Sequence, residues 1–129
     1  MRFAKSVFLI AGIFGVLVIP PMYFLEAQIG RDYPPAVTHP EFMYGFIGTA
    51  LAWQIGFLIM SKDPSRFRPL IPAAIVEKFA FGIAIIVLFS QQRVPAMLLG
   101  FGLGDLTLGC LFIAAFWTTR TGATAEKIS

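Results

Sequence analysis

Four long, nearly uninterrupted apolar segments leave this chain few ways to fold. They cover residues 7–25, 42–60, 71–89 and 97–117, each 19 to 21 residues long. At about 1.5 Å per residue a helix of that length reaches about 28 Å, close to the roughly 30 Å hydrocarbon core of a bilayer. The segments take up 78 of 129 residues, so little chain is left for a soluble domain. Charged residues are 13% of the chain, where a soluble domain carries about 25%. Backbone groups in lipid must be satisfied within the chain, so each segment is expected to be a helix. A membrane β-barrel needs alternating polarity, and these segments are continuous. The expected fold is all-α: a polytopic membrane four-helix bundle, antiparallel, with short loops and a single transmembrane domain over 1–129.

Basic residues orient the bundle. Arg2 and Lys5 precede the first segment, Lys62, Arg66 and Arg68 fill the second loop with Lys78 near the same end, and Arg120 and Lys127 follow the last segment. Only Arg31 and Arg93 lie on the other side, so the bias is eight against two. Lys and Arg concentrate in cytoplasmic loops, and both termini are expected there. This makes 26–41 an outer loop, 61–70 a cytoplasmic loop and 118–129 a cytoplasmic tail. The net charge of +3 is thus topological, and no nucleic-acid partner is expected.

The basic start followed by an apolar run has the outline of a signal peptide. The run is too long for one and lacks a small-residue cleavage site, so it is read as a true first helix. Pro20 and Pro21 lack backbone donors and are expected to kink or end that helix. The outer loop, EAQIGRDYPPAVTHPE, carries prolines at 34, 35 and 40 and is expected to be irregular, lying across the mouth of the bundle as a cap.

Polar groups inside the spans are the candidates for chemistry. Glu77 and Gln54 lie about 9 Å from the cytoplasmic ends of their segments, where a hydrogen bond between them is expected. Thr49 and Asp105 lie about 10–12 Å in from the outer side. A charge at that depth costs several kcal/mol unless it faces the bundle interior and is paired or protonated. Structurally, Glu77 is explained as a helix-start acid paired at the rim with Arg120 or with Lys78 of a neighbouring copy. Asp105 has no evident basic mate, and Gly100, Gly102 and Gly104 beside it allow close approach of a helix or a ligand. Glu77 and Asp105 are the acid/base candidates, and Gln54, Thr49 and Trp53 the candidate pocket wall.

At the outer rim, His39 and Glu41 are further catalytic candidates, His39 being the single histidine. The structural reading of THPEF is a helix start, with Thr38 as cap, Pro40 in the first turn and Glu41 near the positive end of the helix dipole. One histidine cannot supply two axial ligands to haem, and the lone Cys110 has no second soft ligand, so no cofactor and no metal are expected.

The short four-span layout, the acidic residue in the last segment and its ending DLTLGCLFIAAFWTTR resemble the DoxX-like group of small bacterial membrane proteins, while the HPEFMYGF start of the second and the IPAAIVEKFAF start of the third resemble pieces of an uncharacterised four-helix family. The first resemblance implies a bacterial inner-membrane location and a link to quinone-associated redox complexes, and carries over no catalytic residue. Three functions stay open. The first is a small integral membrane protein that binds a hydrophobic small molecule, or an accessory subunit of a membrane complex. The second is an enzyme acting on a lipid, quinone or isoprenoid through buried carboxylates. The third is a proton-coupled small transporter. Expected partners are membrane lipids, a hydrophobic ligand, and a second copy or a complex partner.

Overall fold

A computed structural model of the chain describes the backbone of residues 2–128 and the side chains of residues 2–120. The order is α1 (Arg2–Val18), a 3₁₀ turn (Pro20–Phe24), α2 (Glu26–Asp32), α3 (Pro40–Lys62), a 3₁₀ turn (Arg68–Leu70), α4 (Ile71–Ser90) and α5 (Ala96–Ile128). Among the described residues four helical stretches are long and apolar enough to cross a membrane: Arg2–Phe24, Pro40–Lys62, Arg68–Ser90 and Ala96–Arg120. Between 17% and 28% of the apolar window in each is buried inside the protein. The rest, with Ile10, Leu17, Val76 and Met97 among the exposed side chains, forms outward apolar faces far larger than a protein in water leaves open. The chain is a small multi-pass helical membrane protein.

Local chemistry explains most boundaries. Without donors at Pro20 and Pro21, α1 stops at Val18 and the chain tightens into the 3₁₀ turn, where the Met22 N–H donates to the Ile19 carbonyl at 3.0 Å. The outer segment is more ordered than its prolines suggest. They come after EAQIGRD, which forms α2 with Glu26 in its first turn, Arg31 in its last and a Gln28–Asp32 side-chain hydrogen bond of 2.9 Å. Helix α3 opens with Pro40 in its first turn, but the residue at its cap is His39 rather than Thr38, and no side chain caps it. The last helical backbone continues past the expected end at Trp117 to Ile128.

The turn between α4 and α5 holds Gln92 at φ 58°, the left-handed region, while the Arg93 N–H donates back to the Leu88 carbonyl at 2.9 Å. Glycine meets no Cβ penalty there. Gln92→Gly is expected to raise stability by about 1 kcal/mol, read as a higher midpoint of thermal unfolding in detergent micelles.

Helix α1 lies along α3, α4 lies along α5, and α1 also packs on α5. The core gathers at the end of the bundle that carries Arg2, Lys62 and Arg68, here termed the basic end. Phe8, Phe57 and Phe112, all fully buried, meet there with ring centroids 4.6 to 6.2 Å apart. Ala4, Ala11, Ala74 and Ala115 leave room for the three rings. Arg68 fastens the second loop to the same end, its Nε donating to the Phe116 carbonyl at 3.3 Å and its guanidinium lying 3.8 Å from the Phe116 ring centre.

Gln54 is not paired with Glu77. It is 2% exposed, donates to the Ala50 carbonyl at 3.0 Å, and lies over Gly15 of α1. The reason is rotational: the face of α3 that carries Gln54 also carries Ile47, Ala50 and Phe57, and packs on α1 rather than on α4. A Cβ on Gly15 would overlap the Gln54 amide. Gly15→Ala is therefore expected to lower stability by about 1–3 kcal/mol, and Gly15→Ala with Gln54→Ala to recover most of it in the same unfolding measurement.

Candidate functional site

The buried stripe of α4 reads Ile71, Ala74, Lys78, Gly82 and Ile85, the three- and four-residue spacing of one helix face. A lysine stands in the middle of it. Lys78 is 4% exposed, and its Nζ lies 3.5 Å from Glu77 Oε2 and 3.5 Å from Asp105 Oδ1 on α5. The ring of Phe57, on α3, is centred 5.2 Å from the same nitrogen.

Glycines bring the pieces together. Gly82, one turn beyond Lys78, sits so close to α5 that a Cβ there would lie 2.9 Å from the Gly102 carbonyl oxygen. Gly102 is one turn before Asp105, so this contact sets lysine and aspartate at ion-pair distance. Gly100 and Gly104, in contrast, face open space and bring nothing close.

This arrangement corrects three expectations. Lys78 is not a rim lysine, because two carboxylates compensate its charge inside the bundle and it has no need to reach the interface. Asp105 does have a basic mate. Glu77 has the lysine next to it in its own chain at ion-pair distance, inside the bundle rather than at the rim. The missed signal was the position of Lys78, four residues after Ala74 and four before Gly82 on a stripe of small and apolar residues.

Helices α3 and α4 follow one another in the chain yet hardly touch. A cleft of about 620 Å³ separates them, lined by Phe46, Thr49, Ala50 and Trp53 on one side and by Ala73, Val76, Glu77, Ala80 and Phe81 on the other. The alanines make the hollow. The Phe46 and Phe81 rings stack across it at 6.0 Å. Thr49, Val76 and Ala80 are exposed, so the cleft opens on the outer face of the bundle, which in a membrane is lipid. Glu77 is its one ionisable group. Glu77 Oε2 is buried and accepts no hydrogen bond, since Lys78 approaches it at ion-pair distance without hydrogen-bond geometry.

The sequence candidates thus divide. Glu77, Thr49 and Trp53 share the cleft, Asp105 stands behind it through Lys78, and Gln54 belongs to the α1–α3 contact. His39 and Glu41 pair with each other at 3.0 Å, 67% and 64% exposed, and line none of the cavities described. Their polarity is explained by the helix start they flank.

Two further hollows adjoin these elements. One, about 490 Å³, runs along α3 over Gly48, Thr49, Ala52, Trp53 and Gly56. Gly48, Ala52 and Gly56 fall at four-residue spacing along one face of α3. The other, about 500 Å³, lies under the outer segment, where Tyr44 Oη donates to Glu26 Oε2 at 2.9 Å. Tyr33 Oη reaches Met97 Sδ at 2.7 Å and ties the end of the outer segment to α5. Among the described residues no three His, Cys, Asp or Glu side chains are grouped to hold a metal ion. Compared with protein-family models, curated proteins and solved structures, the chain matches none.

Proposed function

We propose that this protein binds a hydrophobic small molecule from the membrane in the α3–α4 cleft, with Glu77 engaging the polar end of the ligand. The observation that carries the reading is an apolar hollow of about 620 Å³ with one carboxylate in its wall. Ligand pockets commonly measure about 300–1,000 Å³ and pair apolar walls with a few placed polar groups. Asp105 and His39 are outside the lining, so a pair of acids acting on one substrate lacks support there, and binding is favoured over chemistry.

The membrane setting belongs to the same proposal. The four spans cross in alternate directions in a bacterial inner membrane, with both termini in the cytoplasm. With Lys78 assigned to the interior, the basic bias is seven against two, which still favours that orientation.

The test is native mass spectrometry of the protein released gently from its own membrane, beside Ala80→Phe, which fills the hollow. The expected result is a small-molecule mass on the natural protein and at least about a tenfold drop in its occupancy on the variant, about 1.4 kcal/mol of binding. A ligand retained equally by both would place it elsewhere on the bundle.

A further inference from the structure

We infer that the ligand of the α3–α4 cleft is a hydrophobic cation, an amine or quaternary ammonium carrying an apolar body. This rests on the cleft being a ligand site and adds the charge class of what enters it.

The charge of the cluster points there first. Both carboxylates have their ion pairs with one ammonium, so Glu77, Lys78 and Asp105 together carry one uncompensated negative charge when all are ionised. An unbalanced charge is held poorly where water is scarce; it is relieved either by a proton on one of the acids or by a cation arriving from the cleft, and the cleft gives such a cation its route. The side of the cluster that meets the cleft is the acidic one. Glu77 is in the lining, whereas Lys78 is 4% exposed and stands behind it, enclosed by Phe57 and Asp105.

An anionic head group in the cleft would find no positive partner in the lining and would add a second negative charge beside Glu77. A neutral one would leave the imbalance untouched. A cationic head group in the cleft meets the Glu77 carboxylate as the one charged group of the lining, while Glu77 Oε2 stays turned to Lys78. The walls suit the same class. Trp53, Phe46 and Phe81 line the cleft, and aromatic faces attract ammonium groups most strongly where water is excluded. Ala73, Val76 and Ala80 offer the apolar body a surface without polar competition.

The test uses the full chain in nanodiscs of zwitterionic lipid, with three probes of equal chain length: hexadecyltrimethylammonium, hexadecanol and palmitate. The expected result is saturable binding of the cation at least about tenfold tighter than of the alcohol or the acid. Glu77→Gln is expected to weaken the cation at least about tenfold and to leave the alcohol within about twofold. Trp53→Leu keeps the charge cluster intact and is expected to weaken the cation about threefold or more. Palmitate or hexadecanol binding as tightly as the cation to the natural protein would overturn the charge assignment while leaving a ligand cleft in place. Absence of saturable binding by all three would overturn both. The comparison among probes on the natural protein stands whether or not either variant folds.

Discussion

Lys78→Met will destabilise the bundle by about 3–5 kcal/mol, because it leaves two carboxylates in a low-dielectric interior without their counter-charge. The methionine fills nearly the same space, so the loss is electrostatic rather than steric. The companion variant makes that separation. Lys78→Met with Glu77→Gln and Asp105→Asn removes every charge of the cluster and is expected to recover most of the stability, since a neutral, well-packed replacement of a buried ion pair is often no worse than the pair. Unfolding of all three proteins in mixed micelles, followed by circular dichroism, reads the difference. A single variant as stable as the natural protein would mean that Lys78 does not hold the two acids in place.

Phe57→Ala is the second large effect expected. Phe57 is fully buried, touches the Phe8, Trp53 and Phe112 rings, and lies under the Lys78 ammonium. In water such a truncation costs about 3–5 kcal/mol, part of it the transfer of apolar surface. Lipid tails are as apolar as the core, so within a membrane mainly the lost packing remains, about 2–3 kcal/mol. The same change removes one wall around Lys78 and is expected to add to the loss from Lys78→Met less than independently, a coupling that a double-mutant cycle measures. Full additivity would show that ring and lysine act apart.

Length and polarity along the chain were sufficient for the spans. Apolar segments of 19 to 21 residues have one stable form in a bilayer, and the helical stretches overlap all four. Pro20 and Pro21 likewise act locally, through missing donors, and end α1 where expected. In the outer segment the prolines act only from Pro34 onward, so Glu26–Asp32 ahead of them is free to form a short helix, helped by Glu26 in its first turn and Arg31 in its last.

The site was only half legible. That Glu77, Asp105, Thr49 and Trp53 stand out is a property of composition: polar and amphipathic side chains are conspicuous in apolar helices. Which of them meet depends on how each helix is turned about its axis, and in a membrane the hydropathy signal for that turn is weak because lipid and protein interior are equally apolar. Packing of small residues decides it instead. Gly15 against Gln54 turns α3 toward α1 and takes Gln54 out of the site, while Gly82 against Gly102 seats α4 on α5 and turns Lys78 inward to Asp105. Membrane-crossing helices were therefore determined by the sequence alone, through the demand that lipid makes on every backbone hydrogen bond. The shared lysine and the open cleft between α3 and α4 were decided by tertiary structure, through contacts between glycines and side chains far apart in the chain.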